Sequence, residues 1–231
     1  FAQAWNTRTS SGGPPVFDMA AARLALLALA LACEVGALVD LIVPAAERPA
    51  LLKSAEKLEK LALSQEEMEW VHVLAEGWAS PLDGFMSEEQ YLQCTHYEHV
   101  ILDGEFVPMP VPIVKSCTTE EKAKIDGQAE IALTAPDGSI LAIMTAPTVY
   151  QHMKEERAGR TFGITHPDHP YIDLIMKSGD WLVGGKIKVL KEIKYNDGMD
   201  QYRLTPLELQ GKFKEIGADA VFVFQLRNPV H

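Results

Sequence analysis

Two Asp-Gly pairs, at residues 103–104 and 137–138, separate short apolar segments in the middle of the chain. Asp-Gly between apolar segments is a strong signal for a tight turn that joins two antiparallel strands. The prolines at 108, 110 and 112 cannot donate hydrogen bonds to a neighbouring strand, which favours an edge or bulged strand there. A further strand is predicted over 181–195, where apolar and polar residues alternate after a Gly-Gly pair. The pattern predicts an α+β domain built on a small mixed β-barrel with helices around it.

The region before these strands predicts one short strand and two helices. Residues 38–43 are apolar and β-branched and end at a proline, which predicts the strand, and the spacing over 49–63 predicts a surface helix. Ser64 and Glu67 then form the serine–glutamate pattern of a capping box, so we expect a second helix that ends at Gly77.

Residues 205–231 predict the beginning of a different domain. Thr205, Pro206 and Glu208 occupy the positions of an N-cap, a first-turn proline and a capping-box glutamate, so we expect a helix that runs to Gly217. The continuous apolar run at 218–225 is typical of a strand that is buried on both faces of a parallel sheet. A helix followed by such a strand indicates the first elements of an α/β domain.

Composition and charge exclude several classes of protein. The content of 47% hydrophobic and 23% charged residues is that of a globular protein, and the formal net charge of -11 opposes binding to nucleic acid or anionic membranes. Three widely spaced cysteines fit neither a zinc motif nor a disulfide framework, so we expect reduced thiols. Residues 1–18 are typical of a solvated tail. The apolar run at 20–33 is too short for a membrane span and fits either a targeting leader or a packed helix.

The segment QLRNPVH, residues 225–231, contains the candidate site residues. It follows the predicted buried strand, and ligands bind at the carboxyl ends of such strands in open α/β sheets. Arg227 offers a planar fork of donors to sulfate or phosphate, while Gln225, Asn228 and His231 add further donors. Taken alone, this pattern is compatible both with an anion site and with an ordinary loop that has a surface arginine.

The same segment resembles the start of the QxRNPxHxGH signature of ATP sulfurylases. Further stretches that resemble the eukaryotic enzymes, including the sulfurylase part of PAPS synthetases, are WVHVLAEGWASPLDGFM, KEERAGRTFGITHPDHPYI, SGDWLVGGKIKVL, YNDGMDQYRLTPLEL and GADAVFVFQLRNPVH. The resemblance implies a PUA-like domain over 36–204 and the start of a Rossmann-like nucleotidyltransferase domain over 205–231. The tail and apolar leader over 1–35 are predicted from composition alone. The chain would then be an N-terminal fragment that ends inside the signature and has no turnover by itself.

The resemblance also implies roles for the residues of the signature. Gln225 and Arg227 would bind sulfate, and these two residues together with Leu226, Asn228 and His231 would bind ATP. Catalysis would depend on Arg227, Asn228 and His231, and His231 would be the first histidine of the HxGH pair. The implied reaction converts ATP and sulfate to adenylyl sulfate and pyrophosphate. Magnesium would arrive with ATP, and no protein-bound metal is expected.

Several alternatives remain open at the level of sequence. The chain fits a free ATP sulfurylase or the sulfurylase part of a PAPS synthetase, in which a kinase half precedes or follows. The PUA-like part alone fits an RNA-binding or structural module. No GxxxxGK[ST] phosphate loop occurs in the 231 residues. We expect ATP and sulfate as partners, no nucleic acid or membrane partner, a homo-oligomer for the full-length protein, and a plastid or cytoplasmic location.

Other polar segments fit more than one role. His72, His96, His99 and His152 lack partners at metal-ligand spacing, which favours structural or surface roles. The segment KEER at 154–157 fits a solvated helix face or an anion site, and THPDHP at 165–170 fits an ordered loop or a site-lining one. The segment WASPLDGFM at 78–86 fits a tight loop at a domain interface or in contact with substrate.

Overall fold

The structure is a computed structural model, and it describes residues 38–192, 194 and 196–222. All of these residues belong to one compact unit, Gly36–His231. The tail and apolar run of 1–35 and the candidate site residues at 225–231 lie outside the described residues. Among those described, no helix is both long and apolar enough to cross a membrane.

The described residues form seven α-helices around a mixed sheet. The helices are α1 (Arg48–Ala55), α2 (Gln65–Ala75), α3 (Glu88–Tyr97), α4 (Thr119–Ile125), α5 (Lys154–Phe162), α6 (Pro170–Lys177) and α7 (Pro206–Glu215). The strands are β1 (Lys60–Ala62), β2 (Gly84–Phe85), β3 (His99–Leu102), β4 (Glu105–Pro108), β5 (Lys115–Cys117), β6 (Glu130–Thr134), β7 (Ile140–Gln151) and β8 (Trp181–Val189). A short 3₁₀ turn at Asp200–Tyr202 precedes α7.

The main sheet has the strand order β1-β6-β7-β8-β2, and β5 also pairs with β8. The β1–β6 pair is parallel, whereas β6–β7, β7–β8, β2–β8 and β5–β8 are antiparallel. Strands β3 and β4 form a separate two-stranded sheet. The mixed α+β architecture predicted from the sequence is therefore confirmed.

Both Asp-Gly pairs join antiparallel strands, as predicted. Asp103 and Gly104 link β3 to β4 with positive φ angles of 51° and 84°, which a two-residue turn with the twist of a hairpin requires. Asp137 and Gly138 lie between β6 and β7, and the Asp137 carboxylate accepts hydrogen bonds from the Ser139 backbone and hydroxyl. The proline expectation is also confirmed, because Pro108 ends β4 in a sheet that has no third strand among the described residues.

Side chains that alternate along the central strands bury both faces of the main sheet. Ile131 and Leu133 of β6 belong to the large core cluster, whereas Ala132 between them packs with Val43, Ala55, Ile143 and Leu190 in a smaller one. This separation follows from the two-residue period of a strand, which points successive side chains to opposite faces. The smaller cluster is covered by α1, and the larger lies on the side of α2.

The strand expected over 181–195 is confirmed only as far as Val189, where β8 ends. Two further sequence predictions are wrong in their extent. The helix expected over 49–63 ends at Ala55, because 60–62 form β1 and pair in parallel with β6. The strand expected over 38–43 is reduced to one parallel bridge between Ile42 and Val189. In both places the local pattern gave no information about pairing with residues more than 70 positions away.

Candidate active site

The sequence-predicted site residues, Gln225, Leu226, Arg227, Asn228 and His231, lie outside the described residues. The structure describes the chain up to Phe222. It therefore includes α7 and the segment before it at 196–204, which we call the linker. Residues 218–222 are not in a strand, and Val221 and Phe222 are 47% and 94% exposed. This differs from the buried strand expected at 218–225, since no described strand pairs with these residues and so no sheet covers their two faces.

Helix α7 has the N-terminus that the sequence predicts. The Thr205 hydroxyl accepts a hydrogen bond from the Glu208 backbone N–H at 3.2 Å, and the Glu208 carboxylate accepts one from the Thr205 backbone N–H at 2.8 Å. Pro206 occupies the first turn, where a missing N–H costs no intrahelical hydrogen bond. The helix ends before Gly217, whose φ of 63° lets the chain leave the helix axis. The helix thereby sets the direction in which the chain enters 218–222.

The linker before α7 is held by an arginine between two aspartates. The Arg203 guanidinium donates to both oxygens of Asp197, at 2.8 and 2.6 Å, and to Asp200 at 2.8 Å. The hydrogen bond from Arg203 lowers the pKa of Asp197 well below its usual range, and the same bond raises the pKa of Arg203. These contacts fold the linker back on itself just before Thr205.

A cleft of about 900 Å³ lies beside this linker. Its ionisable lining side chains comprise five carboxylates, three basic groups and one histidine: Asp40, Glu76, Glu192, Asp200, Glu208, Arg48, Lys194, Arg203 and His72. Arg48 pairs with Glu192, and the hydrogen bond from Arg48 lowers the pKa of that carboxyl group. An excess of carboxylates repels sulfate and nucleotide phosphates, so the cleft by itself does not suit an anionic substrate.

The histidines considered for metal binding have other partners. His72 pairs with Glu76 at 2.7 Å, and His96 pairs with Glu156 at 3.1 Å. His99 contacts the Tyr97 carbonyl oxygen at 2.8 Å, and His152 is buried. Within the described part of the chain, no group of three or more His, Cys, Asp or Glu side chains is arranged to hold a metal ion. Cys94 and Cys117 are free and buried, and burial raises the pKa of each thiol to about 11.

The segment 154–157 is not simply a solvated helix face. Lys154, Glu155 and Glu156 lie toward solvent or at the protein surface, but Arg157 is only 7% exposed. Its guanidinium lies 3.3 Å from Nε2 of His152, while Nδ1 of His152 lies 3.0 Å from the Gly179 carbonyl oxygen. The four-letter charge run could not reveal this burial, because it depends on strands and helices that are distant in sequence.

The segment 78–86 forms a packed loop. The Ser80 hydroxyl accepts a hydrogen bond from the Val39 backbone N–H and donates one to the Gly77 carbonyl oxygen. Leu82, Phe85 and Met86 belong to the large core cluster, so most of the apolar side chains of this loop point inward. These contacts make its ordering part of the fold of the domain.

Comparison with known proteins identifies two adjacent families. The PUA-like domain family matches residues 31–192, and the ATP-sulfurylase family matches residues 200–231. The residues between the two matches, 193–199, contain Asp197, whereas Arg203 lies within the ATP-sulfurylase match. The domain limits at residues 35 and 204 stay predictions.

Curated relatives are similar over most of this chain. ATP sulfurylase 2 of Arabidopsis thaliana is 48% identical over 198 residues, which cover 85% of this chain and 42% of the relative. ATP sulfurylase 4, chloroplastic, of the same plant is 45% identical, again over 85% of this chain and 42% of the relative. A sulfate adenylyltransferase of Halothermothrix orenii is 34% identical over 85% of this chain and 50% of the relative. The chain thus spans half the length of these relatives or less.

A solved structure has a similar fold. The hexameric APS kinase from Thiobacillus denitrificans superposes with a TM-score of 0.55 and is 27% identical in sequence. The similarity covers 78% of this chain and 30% of that one.

Proposed function

Since this chain belongs to the PUA-like domain family and its residues 200–231 match the ATP-sulfurylase family, we propose that it is part of a sulfate adenylyltransferase. The proposed reaction joins ATP and sulfate to give adenylyl sulfate and pyrophosphate. The observation that carries this assignment is the match of residues 200–231 to the ATP-sulfurylase family directly after a PUA-like match, in a chain 48% identical to a plant ATP sulfurylase.

Sulfate activation requires that one anion attack another. A sulfate oxygen forms a bond to the α-phosphorus of ATP, and the bond from that phosphorus to the bridging oxygen of pyrophosphate breaks. Because sulfate is a weak nucleophile, catalysis consists mainly of alignment and of neutralising charge as the two anions approach. No covalent enzyme intermediate is needed. Magnesium enters as the MgATP substrate and neutralises part of the phosphate charge.

The signature residues suit these tasks. We assign sulfate binding to Gln225 and Arg227, since a guanidinium presents paired donors that match an oxyanion. Asn228 and His231 would donate to ATP phosphate oxygens and stabilise the charge that develops on them, and the backbone at Leu226 would line the same phosphates. The PUA-like domain would serve as the scaffold from which the linker and α7 present this segment.

Substitution of Arg227 in the full-length protein tests the assignment. We expect Arg227→Ala to lower sulfate-dependent release of pyrophosphate from ATP by a factor of at least about 100, because a positioned charge donor is removed. Arg160→Ala is the matched control, since Arg160 is exposed on α5 and pairs with Glu156 of its own helix. Release that does not depend on sulfate, or an Arg227→Ala enzyme as active as Arg160→Ala, would contradict the proposal.

The relatives support a location and an assembly state for the full-length protein. One relative is described as chloroplastic and the similar solved structure as hexameric, which supports a plastid location and a homo-oligomer for the full-length protein. A fluorescent protein fused behind residues 1–35 should enter plastids if that segment is a leader. Cytosolic fluorescence would instead support the cytoplasmic alternative.

A second candidate is a bifunctional PAPS synthetase. It is supported by the similarity to a solved APS kinase, although the similar region is only 30% of that chain. Full-length protein supplied with adenylyl sulfate and ATP would then form the 3′-phosphorylated product. A protein that forms adenylyl sulfate without phosphorylating it would be a free sulfurylase.

A further inference from the structure

A second cavity of about 280 Å³ opens on the PUA-like domain between α2 and α6. We call it the Arg157 cavity. Its charged lining side chains are those of Glu66, Glu67, Arg157 and Lys177. Its volume is at the lower end of the range for small-molecule sites. Its described lining residues all lie between Ser64 and Ser178, and none of them lines the cleft beside the linker.

Three of the four charged side chains of this cavity have partners. Glu67 accepts hydrogen bonds from Ser116 and lies 3.0 Å from Lys115 Nζ. Lys177 pairs with Asp173 at 2.6 Å. Glu66 interacts with Tyr171, and burial together with a hydrogen bond to Glu66 raises the pKa of that tyrosine to about 12.

The fourth charged side chain, Arg157, lacks a carboxylate partner. It is more than nine-tenths buried, and in the described part of the chain no carboxylate oxygen lies within 4.0 Å of its guanidinium nitrogens. Among the described residues, its guanidinium donates a hydrogen bond to Nε2 of His152, which accepts because Nδ1 donates to the Gly179 carbonyl oxygen. A neutral imidazole satisfies one donor but leaves the positive charge without compensation, and buried charges are normally paired.

We propose that the Arg157 cavity binds the carboxylate of a small organic acid, with the Arg157 guanidinium as its partner. A planar carboxylate matches the two parallel donors of a guanidinium. Trp70, Val114, Leu174 and Ile175 form an apolar wall that suits the organic part of such a ligand. The nearby Glu66 carboxylate repels a dianion such as sulfate more strongly than a monoanion, so the cavity favours a carboxylate over an inorganic oxyanion.

Calorimetric titration of the chain with benzoate tests the site. Benzamide, a neutral molecule of nearly the same shape, and sulfate at equal ionic strength are the comparison probes. We expect saturable binding of benzoate and at least about tenfold weaker binding of benzamide and sulfate. Equal binding of benzoate and benzamide, absence of benzoate binding, or displacement of bound benzoate by an equal concentration of sulfate would each overturn the proposal.

Three substitutions test whether benzoate binds in the Arg157 cavity. Leu174→Glu adds a negative charge at a cavity-lining side chain that is 54% exposed, and Leu207→Glu makes the same change at a residue of α7 that is 51% exposed. We expect Leu174→Glu to weaken benzoate binding at least about tenfold and Leu207→Glu to leave it unchanged. Arg157→Lys should also weaken it, since an ammonium group lacks the planar fork. Equal affinities for the two leucine variants would place the binding elsewhere.

Discussion

The surroundings of His152 constrain the charge of its side chain. It is 5% exposed, and burial, followed by the nearby Arg157 charge, lowers the pKa of its imidazole to about 4. The lowered pKa agrees with the hydrogen bonds, because a neutral ring donates from Nδ1 to Gly179 and accepts at Nε2 from Arg157. Protonation of the His152 imidazole would place a second positive charge next to the buried guanidinium of Arg157.

This environment makes stability depend on pH in a defined window. The ordinary pKa of 6.5 applies to the unfolded chain, so below pH 6.5 the unfolded state takes up a proton that the folded state resists down to about pH 4. We expect His152 to contribute about 3 kcal/mol of stability above pH 6.5 that is lost progressively as the pH falls toward 4. Urea unfolding of the wild type and of His152→Asn at a series of pH values measures this contribution.

The comparison should use the range between pH 5 and 6.5, where most carboxyl groups remain ionised. There the wild type should lose stability faster than His152→Asn. His166→Asn is the matched control because the His166 side chain is exposed, and it should follow the wild type. Parallel pH profiles for the wild type and His152→Asn would show that this imidazole is not held neutral.

Gly84 provides a prediction about packing. A Cβ atom at this position would lie 2.0 Å from the Gly185 carbonyl oxygen and 2.7 Å from the Lys186 Cα atom, so β2 and β8 could not keep their pairing. We expect Gly84→Ala to destabilise the fold by about 2 kcal/mol or more. Gly211→Ala is the control, because its Cβ would meet no atom within 4 Å inside a helix, where alanine is favoured. Urea midpoints should fall for the first variant and not for the second.

Among the helices, four begin with complete capping boxes: α2, α3, α4 and α7. The sequence predicts the boxes of α2 and α7 because the pattern lies within four consecutive residues. It does not reveal that Glu67 of the α2 box also binds Ser116 and the buried Lys115. Those partners are 49 and 48 positions away, and only the folding of β5 against α2 brings them to the carboxylate.

Two glutamates at the same capping position should therefore differ in importance. Glu67→Ala removes the acceptor of the Ser64 backbone N–H and leaves the ammonium group of Lys115, a residue only 3% exposed, without its carboxylate, so we expect a loss of about 3–5 kcal/mol. Glu121→Ala removes only the bond to the Thr118 backbone N–H in α4 and should cost about 1 kcal/mol. Chemical denaturation of the two variants gives the difference. Equal losses would mean that Lys115 finds another partner or reaches solvent.

The same distinction between local and distant information explains the errors in the predicted elements. Asp-Gly turns and capping boxes are determined by a few adjacent residues, so they are predicted correctly. The helix predicted over 49–63 fails because β1 pairs with β6, and the burial of Arg157 escapes prediction because its cavity is assembled from α2, α5 and α6. The signature residues at 225–231 are identified by resemblance to a family, and their geometry stays a prediction.

At the scale of the whole molecule, the net charge argues against the remaining alternative, which is an RNA-binding module. The chain has a formal net charge of -11. Several of its basic side chains are paired with carboxylates on the surface, including Lys154 with Asp180, Lys177 with Asp173, and Lys186 with Asp83. Paired lysines in an acidic field offer little attraction to phosphates, and nonspecific RNA binding depends on that attraction.

We therefore expect the 231-residue chain not to bind RNA. The fluorescence anisotropy of a labelled single-stranded RNA should remain constant as the chain is added at about 50 mM salt, where electrostatic binding is strong. Lys186→Glu, which removes the positive partner of Asp83, should leave the anisotropy unchanged as well. An increase that saturates with protein and disappears at higher salt would show a basic surface that the net charge conceals, and it would revive the RNA-binding alternative.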